Sequence, residues 1–551
     1  LFGLTWPYEV GLPVVGGLIS LLLITTMGPS PLKRRQPAHL LLGLWLLLPV
    51  VLTSFVYSPA FLKFLLVASP PLCLLLAVPI AQLAARGRPR WFGQALSGLM
   101  LTALLAASSL AITHYFTDKS LARDNYRGLI QFIKAVSGEQ AAVILNAEGQ
   151  QDVFGYYAER ASLSVPVYPL PRRRPLDEGQ TIIELNQITA GADKIYAVYW
   201  ASRQADPQGV IERWLDNHLF KATDQWYGNV RLVSYAGQWP GMPKFQETRH
   251  YFRRDSGSEI QLSGLALASS LATPGDILRV GVQWRLAAPL DKAYTVFVQL
   301  LDSNHHLVAQ RDAPLEPPTS DWPAGPSFEA AYGLFIEPGT PPGRHRLIAG
   351  LYDRQSGQRL AVVDSGTDFV VLAEIEVLRP ATPLPLEAFT IQQPLAARVM
   401  GLKLWGVDVY KVGYRSAPDT PLKAGDPLHI TAYWSKTEEF DSPWRDDADN
   451  ENRRVGTRPT PTGNRLFSQE EQGGRDALDI RVTKVGGSPT GLELTYRLAG
   501  VDYPPAEWQA GEIVRAQYDL VLSGLEPGWY QLQLGLGGET LPVASRAFAV
   551  Q

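Results

Sequence analysis

Gly275-Asp276-Ile277-Leu278-Arg279-Val280-Gly281-Val282-Gln283-Trp284 and Gly425-Asp426-Pro427-Leu428-His429-Ile430-Thr431-Ala432-Tyr433-Trp434 open on the same Gly-Asp pair, and each reaches a tryptophan nine residues after its glycine. The correspondence continues downstream. Trp322-Pro323-Ala324-Gly325 matches Trp508-Gln509-Ala510-Gly511, and Gly343 with Gly350-Leu351 matches Gly528 with Gly535-Leu536. Around both copies short alternating runs are separated by Gly, Pro and Asp turns, and no helical period is visible. Two tandem copies of one all-β sandwich, of jelly-roll or Ig-like type, account for the pattern. Their expected bounds are 258–372 and 377–551. The second copy holds roughly 36 more residues between its two tryptophans than the first. That excess falls on a polar stretch, read as a long exposed insertion over 438–488. A polar linker is expected near Thr248 to Ser258.

Working towards the start of the chain, residues 118–240 read differently. Tyr126 to Ile133 reads as a helix, and Ala142–Leu145, Leu163–Val167, Lys194–Tyr199 and Val230–Val233 read as strands. Helical segments near Asp152–Glu159 and Val210–His218 lie between them, so a small α/β domain with a mainly parallel sheet is expected. The turn Asn146-Ala147-Glu148-Gly149-Gln150 has a single glycine, which gives neither a dinucleotide fingerprint nor a phosphate loop.

Before residue 118 the chain is strongly apolar. Val10–Met27, Ala38–Tyr57, Phe64–Ala84 and Ala95–Phe116 are each long enough to span about 30 Å of hydrocarbon, and none contains an internal charge. Lys33, Arg34 and Arg35 follow the first stretch and Arg86, Arg88 and Arg90 the third, so the positive-inside rule places both connections in the cytoplasm. The expected arrangement is a multi-pass α-helical segment over 1–117 in a bacterial plasma membrane, with the later domains extracytoplasmic. The chain begins at Leu1 without a signal peptide, and further protein upstream is expected.

Composition narrows the chemistry. A net charge of -3 with interspersed signs leaves no basic footprint for nucleic acid, and the single cysteine, Cys73, excludes a disulfide framework. No HExxH, GxSxG or GxxxxGK[ST] motif occurs, and the eight histidines form no ligand-spaced cluster. Asp364-Ser365-Gly366-Thr367 has the form of an aspartic-protease turn, but no second such turn supplies the facing carboxylate. Asp446 to Glu451 lacks the glycine and distal glutamate of a calcium loop. Arg172-Arg173-Arg174 reads as an exposed charge run. Trp322, Trp434, Trp508 and Trp529 are candidate carbohydrate platforms, Trp322 and Trp508 foremost, with core or edge packing as the competing reading. Lys63 stands at the outer interface, where it either meets an anionic headgroup or anchors the helix.

Tyr57-Ser58-Pro59-Ala60-Phe61-Leu62-Lys63-Phe64-Leu65-Leu66 followed by Pro70-Pro71-Leu72 resembles the outer-face turn of the polytopic GT-C class bacterial glycosyltransferases. These are related to protein O-mannosyltransferases and aminoarabinose transferases. Asp124-Asn125-Tyr126-Arg127, Val143-Ile144-Leu145, Gln151, Phe154-Gly155-Tyr156-Tyr157, Asp206-Pro207 and Trp214-Leu215 resemble the family's outer-face α/β region. The resemblance covers roughly 1–240 and implies transfer of a sugar from a polyprenyl-phosphate donor to a glycan, lipid or protein acceptor. It implies that Lys63 binds the donor phosphate, and that catalytic acids, with any divalent metal, lie upstream. Lys63-Phe64 stands where the family carries Arg-Tyr, which replaces a bidentate grip by a point charge. The alternative is a non-enzymatic, membrane-anchored surface protein whose sandwiches bind carbohydrate.

Overall fold

The computed structural model describes residues 41–49, 67–86, 89–117, 123–239, 241–253, 259–290, 292–415, 417–437, 477–486, 489–498, 503–545 and 547–551. They divide into two compact units, one up to Arg123 and one from Asp124.

In the first unit residues 41–49 are helical, and α1 (Ser69–Arg86) packs on α2 (Arg90–Thr117). The Ser97 hydroxyl lies 3.0 Å from the Ile80 carbonyl on α1 and 2.8 Å from that of Gly93. Small hydroxyl residues at such contacts let apolar helices approach closely. Among the described residues one helix, α2, is long and apolar enough to cross a membrane, over Arg90–Phe116. Its Leu99, Leu105, Leu110 and Phe116 are exposed. The expected span Val10–Met27 lies outside the described residues, Ala38–Tyr57 is described only at 41–49, and Phe64–Ala84 coincides with α1 from Ser69 onward.

The second unit begins with α3 (Tyr126–Val136), whose first turn is capped by Asn125 Oδ1 accepting the Gly128 amide at 2.9 Å. Then follow β1 (Ala141–Asn146), α4 (Gln151–Ala161), β2 (Val167–Leu170), α5 (Glu178–Ala190), β3 (Lys194–Tyr199), α6 (Val210–His218), β4 (Phe220–Tyr227) and β5 (Val230–Ala236). The sheet order is β2-β1-β3-β5-β4. β1 runs parallel to β2 and β3, whereas β5 is antiparallel to β3 and β4. The mainly parallel sheet expected is therefore mixed. Only the two residues Gly228 and Asn229 separate β4 from β5, and a parallel return needs a crossover of a dozen residues or more. Phe154 of α4 and the buried stripe of α3 cover one face with Val143, Leu145 and Val198; Leu185 of α5 and Trp214 of α6 cover the other with Ile144, Ile195 and Ala197.

The remainder is antiparallel β with few exceptions. β6 (Gln246–Arg253), β7 (Glu259–Leu267), β9 (Ile277–Leu286), β12 (Ser327–Phe335) and β14 (Ala361–Val362) form a sheet in the order β12-β9-β7-β6-β14. β8 (Leu271–Ala272), β10 (Thr295–Leu301), β11 (Leu307–Pro314), β13 (Gly343–Tyr352) and β15 (Val370–Val377) form its partner, ordered β11-β10-β13-β15-β8. Alternate residues of both meet in one core around Trp284, Val296, Leu347 and Ile375, which defines a sandwich. The expected linker near Thr248 is instead strand β6, whose Phe252 is fully buried in that core.

A second sandwich pairs the sheet β16-β17-β18-β21 with β20-β19-β22-β23 and β24, around Trp434, Leu428, Ile480 and Leu532. Its strands are β16 (Gln393–Val399), β17 (Leu402–Lys411), β18 (Pro427–Lys436), β19 (Ala477–Lys484), β20 (Pro489–Arg497), β21 (Ile513–Val521), β22 (Gly528–Leu536), β23 (Glu539–Ala544) and β24 (Phe548–Val550). The insertion expected over 438–488 is shorter at its far end, because Leu478, Ile480 and Val482 alternate into the core as β19.

The repeat is exact in its local bonding. Gly275 and Gly425 have φ of +89° and +88°, a region that glycine enters without the Cβ penalty. Gly275 N donates to Ile336 O at 2.8 Å and Ile336 N to Asp276 O at 2.8 Å, while Gly425 N donates to Leu522 O at 2.7 Å and Leu522 N to Asp426 O at 3.0 Å. Trp322 and Trp508 each follow a 3₁₀ turn, and each indole N–H donates to the carbonyl five residues upstream, Pro317 at 2.6 Å and Tyr503 at 3.1 Å.

Candidate functional site

The α/β sheet changes winding direction at β1. From β1 the chain crosses over α4 to β2 on one side, then returns over α5 on the opposite face to β3 on the other side. In open sheets of this kind ligands bind outside the carboxyl ends of the strands at such a switch point. Asn146 closes β1 and Tyr199 closes β3, and the two are register partners. Asn146 is 1% exposed, and neither its amide nitrogen nor its oxygen has a hydrogen-bond partner. The Tyr199 hydroxyl makes no hydrogen bond of good geometry, and the phenol of neighbouring Tyr235 is committed to Asp216 at 2.7 Å. Burial pushes the Tyr199 phenol well above its ordinary range, with Glu212 adding to the effect, so it stays protonated. Gln150 fixes the adjoining turn, accepting from Tyr126 at 3.0 Å and donating to the Val198 carbonyl at 3.3 Å. This edge offers the Asn146 amide and the Tyr199 phenol, with Arg231 5.4 Å from the Tyr199 ring centroid and paired to Glu212 at 2.7 Å. It can hold a polar group.

A groove of about 350 Å³ runs between the opposite end of β3 and the first sandwich, lined by Asp193, Lys194, Asp276 and Arg279 among others. Its charges are spent on one another. Lys194 Nζ meets Asp276 at 2.7 Å and also donates to the Val136 carbonyl at 2.7 Å, and Arg279 meets Asp193 at 3.1 Å. The quartet fastens the α/β layer to the sandwich. No group of three or more His, Cys, Asp or Glu side chains able to hold a metal occurs among the described residues.

Lys63 lies outside the described residues, as does Asp446 to Glu451. Trp322 and Trp508 are 2% and 3% exposed, and Trp322 stacks on Phe328 with centroids 4.0 Å apart. The carbohydrate-platform reading of these two residues is corrected accordingly: both faces of a sugar-stacking ring cannot be core, and their burial serves the sandwich. Asp364 sits in a single exposed turn held by Val362 N donating to Thr367 O at 2.7 Å. Of the arginine run, Arg172 pairs with Glu184 at 3.0 Å.

Four motif residues of the α/β region serve the scaffold. Asn125 caps α3, Phe154 is fully buried, Trp214 stacks on His218 with centroids 4.3 Å apart, and Asp206 caps α6. Asp206 is 4% exposed and accepts the Val210 and Ile211 amides at 2.9 Å each. Asp206→Ala is expected to cost about 2 kcal/mol, since it strands two buried helix donors. Asp206→Asn, which keeps one acceptor, should recover part of that in urea denaturation.

No family model matches the chain, and no curated protein matches it. Among solved structures it is similar, over 21% of its own length and 90% of the other's, to the CARDB domain of a Pyrococcus furiosus protein solved with di-metal ions, at 9% identity and TM-score 0.15. It is also similar to a β-glucosidase from Listeria innocua in complex with glucose (19% identity, TM-score 0.14, 22% of this chain and 16% of that one). A family 2 glycosyl hydrolase from Bacteroides cellulosilyticus gives 13% identity, TM-score 0.14, and coverage of 28% and 20%. The chain thus spans less than a quarter of either hydrolase.

Proposed function

We propose that this chain is the C-terminal part of a membrane glycosyltransferase that moves a sugar from a polyprenyl-phosphate donor to an extracytoplasmic acceptor. On this reading 1–117 is a multi-pass membrane segment, 118–240 an outer-face α/β layer, and the two sandwiches spacers that carry no chemistry. The observation that carries it is the order of parts in the sequence. An apolar helix long enough to cross a membrane ends at Thr117, and the Asn125-capped amphipathic helix that opens the α/β layer begins at Tyr126. That succession is what the resemblance leads one to expect of a transferase's closing half. The burial of Trp322 and Trp508 withdraws these two residues from the alternative, a carbohydrate-binding surface protein, whereas Trp529 is exposed.

Lys63 contributes a point charge to the donor phosphate, and removing it weakens an electrostatic contact of the kind worth several kcal/mol in a water-poor site. Lys63→Ala in membranes holding the whole gene product is expected to lower sugar transfer from a polyprenyl-phosphate sugar by about 10²-fold or more, with Lys63→Arg restoring most of it. Unchanged transfer in Lys63→Ala removes the donor assignment. Absence of any transfer by the unaltered protein, across several polyprenyl-phosphate sugars, removes the transferase reading itself.

A further inference from the structure

The sheet β16-β17-β18-β21 turns its apolar residues inward, Leu428, Ile430, Ala432 and Trp434 on β18 and Val514, Ala516 and Leu520 on β21. Its other face should meet water. Instead it carries Asp408, His429, Thr431, Tyr433 and Arg515, all at most 6% exposed. The first sandwich covers them. Arg515 N donates to Gly339 O at 2.8 Å, Arg415 meets Glu337 at 2.6 Å, and Phe389 of the connecting segment packs edge-on against Tyr433 with centroids 5.9 Å apart. A sheet face this polar is a poor permanent core, because each charge must find its counter-charge across the joint.

Two imidazoles and two carboxylates form a chain through it. Asp302, in the turn between β10 and β11, lies 3.3 Å from His306 Nδ1; His306 Nε2 lies 3.8 Å from Asp519 on β21; Asp519 lies 2.7 Å from His429 Nδ1 on β18. His429 Nε2 is 3.1 Å from the Thr431 hydroxyl, and the two imidazole centroids are 6.0 Å apart. We propose that this Asp302–His306–Asp519–His429 chain makes the joint between the two sandwiches a proton-sensitive latch, closed near neutral pH and released by acid.

The other groups facing the chain set its sense. Arg515 stands near both imidazoles, Tyr410 lies over His429 at 5.0 Å, and the Tyr496 hydroxyl donates to the Asp519 carbonyl at 2.5 Å. His345 and His305 flank the Asp302 turn, and Asp408, Glu337 and Arg415 complete the buried charge. Burial, against the pull of Asp519, holds His429 below the ordinary histidine range. His306 is also opposed by burial, but Asp302 and Asp519 outweigh it and hold His306 above that range. Opening the joint hydrates both rings. The stability contributed by a neutral His429 is therefore present above about pH 6.5 and lost as pH falls through its closed-state value. That contributed by a charged His306 is present below about pH 6.5 and lost as pH rises through its own. Asp302 and Glu337, both held below the carboxylate range by their cationic neighbours despite burial, add to the loss at still lower pH. Asp408, raised by burial, works the other way.

The Arg515 amide reports on the joint directly, since its hydrogen bond crosses it. Hydrogen exchange of the peptide around Arg515, in the full chain in detergent and corrected for the intrinsic pH dependence of exchange, is expected to show greatest protection near neutral pH. Protection should fall by up to about tenfold per pH unit below 6.5, while amides of the core strand β18 stay constant. His429→Gln should flatten the acid limb, and Asp519→Asn should lower protection already at pH 7. Flat protection of Arg515 between pH 7.5 and 5 in the unaltered chain overturns the proposal, and so does an acid limb that persists unchanged in His429→Gln. Were His429→Gln to lose protection in β18 as well, the unaltered chain and Asp519→Asn decide the question.

Discussion

Trp434→Ala is expected to cost about 3–5 kcal/mol, enough to unfold the second sandwich at modest denaturant concentration while the first stays folded. Trp434 is fully buried at the centre of its core, and its indole N–H makes no hydrogen bond, so the loss is one of packed volume. Trp284 occupies the matching position in the first sandwich, equally buried and equally without a partner for its N–H. The same substitution there should therefore cost a similar amount. Phenylalanine at either position keeps much of the apolar area and removes an unsatisfied donor, so it should recover more than half the loss. Denaturant unfolding followed by the remaining tryptophans distinguishes the two sandwiches through which transition moves. Equal small shifts for Trp434→Ala and an exposed control such as Trp529→Ala would show that the core is not organised around the repeated tryptophan.

Gly333→Val should separate two layers that otherwise behave as one. Gly333 lies on β12 of the first sandwich, and a Cβ there would stand 2.6 Å from the Phe220 carbonyl and 3.0 Å from Ala222 on β4 of the α/β sheet. The obstruction includes backbone, which cannot swing aside as a side chain can. Around this contact the two cores merge. Phe335 sits with its ring centroid 6.1 Å from that of Phe132 on α3, and Ile277 shares the same cluster. Overpacking of this kind costs about 1–3 kcal/mol, occasionally more, and the valine adds two methyl groups beyond the Cβ. Limited proteolysis is expected to cut between Ala236 and Gln246 in the variant at protease levels that leave the parent intact. An unchanged digestion pattern would mean that the layers are held elsewhere, chiefly by the charged quartet at Lys194, Asp276, Arg279 and Asp193.

Strand β3 and helix α6 were legible residue for residue, because each is an apolar run or stripe bounded by clear breakers. Helix α5 is an element that the expected α/β pattern lacks, although its sequence carries a signal: Asp177 caps it through the Gln180 amide at 3.1 Å, and Ile182, Leu185 and Ile188 follow at helical spacing. Leu163–Val167 read as a strand, but Ser162 ends α4 in the left-handed region and pairing with β1 begins only at Val167. Strand β4 is hidden because its register shifts between Lys221 and Thr223 and its exposed positions include Trp226, so little hydrophobic alternation survives. Of the candidate site residues, Trp322 and Trp508 could not be assigned to surface or core from their spacing, since a repeated tryptophan satisfies both readings. The buried Asn146 at the sheet's carboxyl edge carried no sequence signal at all.

What the sequence determined by itself is therefore whatever is written in local period and turn chemistry: the apolar helix, the alternation of the α/β layer, and the doubled Gly-Asp turn leading to a core tryptophan. These depend on residues a few positions apart. Only the tertiary structure decided which faces are covered. His306 and His429 are 123 residues apart in the chain, and nothing in either neighbourhood announces that Asp519 will stand between them. Burial of a polar sheet face depends on what docks against it, and docking is a property of surfaces assembled from many strands.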